Sequence, residues 1–371
     1  MIQNTPLRIL VAPLDWGLGH TTRCIPIIYE LLNNGVQVLL AGNEVQKNIL
    51  LNEFPTCTFL SLKGYNVSYG RSTSGFVWKM TRQLPAIQSA IRYENNWLDD
   101  VVSEYQIDGV ISDNRFGLYH SNVPSVFITH QLQIKTGLGQ YSDKLARLIN
   151  YRFINKFSQC WVPDFSGSKN LAGTLSHPDK MPRIVCRYIG SLSRMSYQKQ
   201  EQKNGKILIV LSGPEPQRSI FEQQIFDQLA NFKGAVTIVR GLPLSTDAVS
   251  LQNAIVHNHL SKEKLQAEML AADGIICRSG YSSVMDINAL KIKAVLVPTP
   301  GQTEQEYLGK YLQENGFAVS FSQQNFQLNT AVEAFKAFSY NGFLSPSPEL
   351  LVNAVADFIA LCQSAKNKGR H

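Results

Sequence analysis

One pattern constrains this chain more than any other, and it runs through the sequence twice. Short runs rich in Val, Ile and Leu are each followed by a longer segment in which apolar residues recur at helical spacing. Parallel strands cannot be joined by a tight turn and need a crossover, usually a helix. Strands that read as continuous apolar runs are buried on both faces. The β-α-β-α order therefore prescribes parallel sheets with helices on both sides. In the first half, strands fit residues 8–12, 37–41, 58–62, 109–112 and 125–129, with helices over 21–33, 44–53, 76–104 and 143–156. In the second half, strands fit 206–211, 235–239, 255–257, 274–277, 294–297 and 317–320. Helices fit 218–231, 262–271, 282–290 and 304–315, and a last helix spans 348–365. The polar stretch 196–205, SYQKQEQKNG, has the composition of a linker.

The expected fold class is thus α/β, with two facing Rossmann-like, doubly wound parallel-sheet domains over 1–195 and 206–345. Residues 196–205 join them, and the helix in 346–371 is a candidate to cross back onto the N-terminal domain. The expected ligand site is a cleft between the domains at the carboxyl ends of the strands. A length of 371 residues suits two domains of ordinary size. The segment 63–75, rich in Gly, Ser, Asn and Tyr, is too polar for a core and reads as a functional loop.

Charge and cysteine usage narrow the class. Thirty-five Lys and Arg against 28 Asp and Glu leave a net charge of +7, which favours an anionic partner. Nucleic acid is not the expected one, because the basic residues are dispersed and no nucleic-acid module appears. The six cysteines are scattered with no C-x-x-C pair, so buried free thiols in a reducing compartment are expected. No signal-peptide pattern and no apolar stretch of about 20 residues is present. The expected location is cytoplasmic, with association at the inner face of the membrane in view. Residues 141–157 carry Lys144, Arg147, Arg152 and Lys156 among Leu145, Leu148, Ile149, Phe153 and Phe157. Such a helix either lies on an anionic surface or packs on its own sheet with a solvated basic edge.

Where the first strand turns into the first helix, the chain reads Leu14-Asp-Trp-Gly-Leu-Gly-His20. Gly17 and Gly19 let the backbone approach a ligand, and the helix start offers unpaired N–H groups. A dinucleotide fingerprint is disfavoured, since Thr22 replaces its third glycine and the second strand ends Ala41-Gly-Asn43. His20 sits where a general base would be useful, Asp15 can orient or ionise, and Trp16 can stack on a sugar ring. Asp113 ends a parallel strand on the same sheet edge and is the best partner to fix the tautomer of His20. Asp15 remains the alternative base.

The second half holds Arg278-Ser-Gly-Tyr-Ser-Ser-Val-Met-Asp286 at a strand-turn-helix junction. Ser279, Gly280, Ser282 and Ser283 cluster at the helix start, where hydroxyls and N–H groups can hold a phosphate. Downstream, Val297-Pro-Thr-Pro-Gly-Gln-Thr-Glu-Gln-Glu-Tyr307 fixes a loop and opens a helix with Gln305 and Glu306.

Together, the Arg278–Asp286 and Val297–Tyr307 motifs resemble the donor-binding region of inverting glycosyltransferases with the GT-B fold, notably the MurG-like peptidoglycan N-acetylglucosaminyltransferases. Gly17-x-Gly19-His20 is similar to that family's acceptor loop, and Thr129-His130-Gln131 lies where the family has His-Glu-Gln. The resemblance runs from about residue 8 to residue 320. It implies Asp286 on the donor ribose, with Ser279, Gly280, Ser282, Ser283 and Gly213 on the diphosphate and Arg278 beside them. It implies Gln305 and Glu306 on the donor sugar, and Trp16, Gly17, Gly19 and His130 on the acceptor side. Three departures concern the donor: the turn Ser212-Gly-Pro-Glu-Pro216, Asp286 in place of a glutamate, and Glu306 in place of a glutamine. No D-x-D motif occurs, so no metal is expected; helix N-termini, hydroxyls and Arg218 or Arg278 would meet the leaving-group charge. The implied reaction is metal-independent inverting transfer from a nucleotide sugar, with UDP as the expected nucleotide and no separate cofactor. The acceptor is a hydroxyl, with lipid-linked and cell-envelope glycan precursors as candidates. The competing readings are a nucleotide-sugar 2-epimerase and a non-catalytic nucleotide-binding protein.

Overall fold

A computed structural model describes residues 6–65, 73–197, 203 and 205–368, without the side chains of 73–85. The chain forms two compact units: Val77–Arg194 with the N-terminal residues and Pro346–His371, and Met195–Ser345.

In the first unit, β1 (Arg8–Pro13), β2 (Gln37–Gly42), β3 (Thr58–Ser61), β4 (Gly109–Asp113), β5 (Ser125–Ile128), β6 (Gln159–Val162) and β7 (Val185–Tyr188) form one sheet in the order β3-β2-β1-β4-β5-β6-β7. Every pairing is parallel. Helices α1 (Leu18–Asn33), α2 (Glu44–Glu53), α3 (Thr73–Tyr105) and α4 (Gln140–Ile154) provide crossovers. All five residues of β4 are buried, which is why it reads as an apolar run until Ser112 and Asp113. The chain winds outward in one direction from β1 to β3 and in the other from β4 to β7. The winding reverses between β1 and β4, where Pro13 pairs with Asp113.

The second unit repeats the scheme with β8 (Ile207–Val210), α5 (Gln217–Leu229), β9 (Val236–Val239), β10 (Ala254–His257), α6 (Lys262–Ala271), β11 (Gly274–Cys277), α7 (Tyr281–Leu290), β12 (Ala294–Leu296), α8 (Thr303–Glu314), β13 (Val319–Ser320) and α9 (Leu328–Ala337). Its strand order is β10-β9-β8-β11-β12-β13, again all parallel, with the reversal between β8 and β11. The chain then returns to the first unit as α10 (Pro348–Lys368), which buries Ala354, Val355, Phe358 and Cys362.

Three elements were not foreseen from the sequence. β6 carries Gln159 and β7 carries Arg187, and β7 is an exposed edge strand, so neither shows the apolar run of a central strand. In α9, Leu328, Ala331, Val332 and Phe335 form a helical stripe, but the flanking Asn and Gln residues read as loop. The polar segment expected over 63–75 falls partly on 66–72, outside the described residues; α3 already begins at Thr73. Most of the 196–205 linker also lies outside them.

Close approach explains two glycines. A Cβ on Gly274 would lie 2.2 Å from the Phe335 ring, and one on Gly109 would lie 2.6 Å from Cys362 Sγ and 3.2 Å from the Phe358 ring. Phe358 has no exposure and meets Trp161 edge-on at 5.9 Å, while Lys366–Asp108 (2.7 Å) and Arg187–Asp357 (2.5 Å) flank the contact. Phe358→Ala leaves a cavity worth about 3–5 kcal/mol. At roughly 2–4 °C per kcal/mol for a unit of this size, the first unit should melt roughly 6–20 °C lower. A thermal scan with an unchanged midpoint would show that α10 is not part of that unit's core.

Candidate functional site

In the first unit the site is built on the turn that follows β1. Gly17, the N-cap of α1, has φ +85°, a conformation that disfavours any residue with a Cβ. The turn is tied down from three directions. Leu14 N donates to Asp113 O (2.9 Å), Arg115 Nε donates to Pro13 O (2.8 Å), and Gln46 Nε2 donates to Pro13 O and Leu14 O (3.1 Å each). Arg115 is fully buried and pairs with buried Glu94 at 2.8 Å; Glu94 also accepts from Tyr65 Oη (2.6 Å) and Gly117 N (3.0 Å). Trp16 packs edge-on against Tyr65 at 6.3 Å, and Asp15 Oδ1 accepts from Tyr65 N at 3.4 Å. A Cβ on Gly64 would overlap the Asp15 carboxylate at 1.8 Å, so Asp15 is pressed onto the 63–65 backbone.

His20 and Asp113 are brought together. His20 Nδ1 lies 3.1 Å from Asp113 Oδ1, because α1 starts directly above the end of β4. The His20 side chain is 17% exposed and Asp113 is fully buried. Arg23, one turn further along α1, bonds Asp113 with Nε (2.6 Å to Oδ2) and with Nη2, and Nη2 also lies 2.9 Å from His20 Nδ1. Arg23 Nη1 is 3.4 Å from Nδ1 of His130, which follows β5. Among the described residues the Nε2 atom of His20 has no protein partner. Burial and the Arg23 cation pull the His20 imidazole below its ordinary 6.5, against the opposing pull of Asp113. Burial disfavours the charged form of Asp113, but Arg23 and His20 outweigh it and hold the carboxyl well below the usual carboxylate range. The arrangement pairs an imidazole biased toward its neutral form with a carboxylate biased toward its ionised form, and it can accept a proton.

In the second unit, the turns after β8, β11 and β12 lie side by side because those strands are neighbours. Gly213 has φ +102°, Gly301 has φ +80°, and Gly280 is the N-cap of α7. Ser282, Ser283 and Asp286 lie on the first two turns of α7 and are partly exposed. A Cβ on Gly213 would come within 3.5 Å of Thr299 Oγ1, a buried hydroxyl with no partner among the described residues.

Three residues expected as donor contacts face inward instead. Buried Arg278 donates to Val297 O (3.2 Å), Pro298 O (3.3 Å) and Gln217 O (2.9 Å) and stacks on Phe221 at 4.5 Å. Burial brings its pKa down to about 10. Ser279 Oγ donates to Gln305 O (2.8 Å), and Gln305 Oε1 accepts from Thr299 N (2.9 Å). These bonds hold the turns in place from beneath. Glu306 is exposed, with one carboxylate oxygen accepting from Gly301 N at 3.0 Å. Arg218, a candidate for leaving-group charge, is committed to Glu215 (2.6 Å) and Glu222 (3.1 Å). The sequence reading missed Arg23, Gln46, Arg115 and Thr299. Of these only Gln46 carries a local signal, the N-x-x-Q capping box that begins at Asn43. Among the described residues, no group of three or more His, Cys, Asp and Glu side chains is placed to hold a metal ion.

Residues 245–341 match the glycosyltransferase family 28 C-terminal domain. A 58-residue stretch is 43% identical to UDP-N-acetylglucosamine--N-acetylmuramyl-(pentapeptide) pyrophosphoryl-undecaprenol N-acetylglucosamine transferase of Desulforudis audaxviator. That stretch covers 15% of this chain and only 16% of the relative's length. Over whole chains, the structure is similar to the glycosyltransferase of kitacinnamycin (TM-score 0.63, 13% identity, 99% of both chains). It is also similar to CalG4, the calicheamicin glycosyltransferase (TM-score 0.63, 13% identity, 97% of this chain and 94% of that one). MurG of Acinetobacter baumannii superposes with a TM-score of 0.52 at 16% identity, over 97% of this chain and 99% of that one. The fold with its two parallel sheets is the GT-B fold.

Because its folded state keeps His20 neutral, the ring should titrate below pH 6.5 in the native protein, as read by the pH dependence of its NMR ring resonances. The unfolded chain takes up that proton near 6.5 and the native one does not, so stability should fall as pH drops from 6.5 toward the native midpoint. A midpoint above 6.5 would mean that Asp113, and not burial with Arg23, dominates the ring.

Proposed function

We propose that this chain, a MurG-like glycosyltransferase of the GT-B fold with a family 28 C-terminal domain, moves a sugar from a nucleotide diphosphate sugar to a hydroxyl acceptor with inversion at the anomeric carbon. The observation that carries the reading is the 3.1 Å approach of His20 to Asp113, which leaves Nε2 of the imidazole without a partner among the described residues. The acceptor hydroxyl attacks C1 of the donor sugar while Nε2 takes its proton. The C1–O bond to the β-phosphate breaks as the new C1–O bond forms, and the nucleoside diphosphate leaves. Asp113 steadies the imidazolium that results.

On the donor side, the diphosphate rests against Gly213, Ser282, Ser283 and the amide groups at the start of α7, beside the unpartnered hydroxyl of Thr299. Asp286 takes the ribose hydroxyls. Arg278, Ser279 and Gln305 support these turns from below. UDP is the proposed nucleotide, and the name of the Desulforudis audaxviator relative makes a lipid-linked acceptor the one to try first.

That acceptor class agrees with α4. Tyr141 is 90% exposed, and Leu145, Leu148 and Ile149 are also exposed, on a helix whose Lys144 and Arg152 face solvent. Positions 141, 145, 148 and 152 share one stripe. Tyr151 and Ile154 turn inward to the sheet, and so does Phe157, which the sequence pattern grouped with the outward residues. The helix therefore packs on its sheet and still presents apolar side chains outward, which suits an anionic membrane surface. No helix among the described residues is long and apolar enough to cross a membrane.

Incubation with a panel of nucleotide sugars, with and without hydroxyl acceptors, tests the reaction. Transfer that depends on an acceptor supports it; conversion of a donor to its epimer without an acceptor, or binding alone, overturns it. For an active donor, His20→Ala should lower turnover by roughly two to four orders of magnitude. Near-normal turnover in that variant, with the loss found instead in Asp15→Ala, would move the base to Asp15. The protein should also sediment with anionic phospholipid vesicles at low salt and fail to do so after Leu145→Glu with Leu148→Glu. Equal recovery of both proteins in the supernatant would remove the membrane role.

A further inference from the structure

Arg23 lies at the centre of the His20 site with 2% of its surface exposed, and no sequence pattern marks it. A guanidinium has only donors and keeps its charge, so each atom it bonds must offer a lone pair. Asp113 receives two of its N–H groups, one on each oxygen. His130 Nδ1 faces Nη1 at 3.4 Å, and while that bond lasts a neutral His130 carries its proton on Nε2. His20 Nδ1 stands in a competition: Asp113 Oδ1 at 3.1 Å asks it to donate, and Arg23 Nη2 at 2.9 Å asks it to accept. Only the first arrangement leaves Nε2 bare and able to take a proton.

We propose that Arg23 is a positioning residue for proton removal: its guanidinium locks the plane of Asp113 beneath the His20 ring and governs which nitrogen of His20 and of His130 carries the proton. This rests on reading His20 as the base. Among the described residues, the charged and titratable groups facing His20 are Asp113 from β4, Arg23 from its own helix and His130 from the turn after β5, with the Cys24 thiol donating to Asp113 Oδ2 at 3.7 Å. The Arg23 charge opposes formation of an imidazolium beside it. His20 is thereby kept in its base form at neutral pH, and Asp113, already held on both oxygens, cannot swing away when the ring becomes charged.

The test compares Arg23→Met, which removes the charge, with Arg23→Lys, which keeps the charge and loses the two-point grip. In the free protein, the His20 ring should titrate at higher pH in Arg23→Met than in the wild type, and in Arg23→Lys it should stay close to the wild type. Ring nitrogen shifts should show the His20 proton moving toward Nδ1 in Arg23→Met, since only Asp113 then addresses that atom. With an active donor, kcat should fall by about a hundredfold in both variants, as for misplacement of a reacting group. The acid limb of its pH profile should move upward only in Arg23→Met. If removing the charge unfolds the protein, Arg23→Met with Asp113→Asn removes both buried charges. The reference is then Asp113→Asn alone, in which Arg23 still presses Nδ1 to accept: the His20 proton should lie on Nδ1 more often in the double variant than in that single one, and equal occupancy would overturn the proposal. An unchanged midpoint and unchanged ring shifts in Arg23→Met would overturn the proposal. Absence of turnover with every donor would count against the transferase reading, while the ring titration would still decide the role of Arg23.

Discussion

Parallel pairing requires that each strand be reached by a crossover, so every strand of a sheet ends on the same edge. In both units that edge carries the glycine turns, and the winding reverses between β1 and β4 and between β8 and β11. At a reversal, the loops after two neighbouring strands leave in opposite directions and open a space that no crossover covers. His20 and Asp113 occupy the first reversal and Gly213 and Gly280 the second. The register Pro13↔Asp113 is the pairing on which the candidate site depends, because it puts the end of β4 beneath the start of α1.

Buried charge is concentrated at these same edges. A charge taken out of water must be met by an opposite charge or by several hydrogen bonds. Asp113 is met by Arg23, Glu94 by Arg115, and Glu222 by Arg218 and Arg240. Among the described residues Arg278 has no carboxylate partner; it is met by three carbonyl groups and the face of Phe221. Arg115 and Arg278 reach from one post-strand turn to another, and Arg23 reaches from α1 to the end of β4, so their planar forks act as braces. Lysine, with a point charge on a flexible stem, would satisfy the charge without fixing the turns.

The two units use these braces differently. In the second, Arg278, Ser279 and Gln305 bond beneath the turns, while Ser282 and Ser283 stay partly exposed beside the backbone amides at the start of α7. That composition suits a group carrying its own negative charge. In the first, the brace Arg23 contacts both His20 and Asp113, so its charge acts on that pair as well as on the shape of the turn.

Local pattern was enough to place eleven of the strands and most of the helices, because a strand buried on both faces has to be apolar throughout and a crossover helix has to be amphipathic. It missed β6 and β7, whose Gln159 and Arg187 interrupt the run, and α9, whose polar flanks hide a clear stripe. The glycine turns and His20 were legible for the same reason: a positive φ and a helix start restrict which residues stand there. The partnership of His20 with Asp113 could be reasoned from strand ends. The intervention of Arg23, 90 residues away from Asp113, could not. Nor could the inward turn of Arg278 and Gln305, since a polar side chain beside a glycine loop reads alike whether it points to a ligand or to a neighbouring carbonyl. Composition and periodicity record which faces must be buried; which polar atom meets which depends on the register of β1 on β4 and of β8 on β11, and that register exists only when the sheets are assembled.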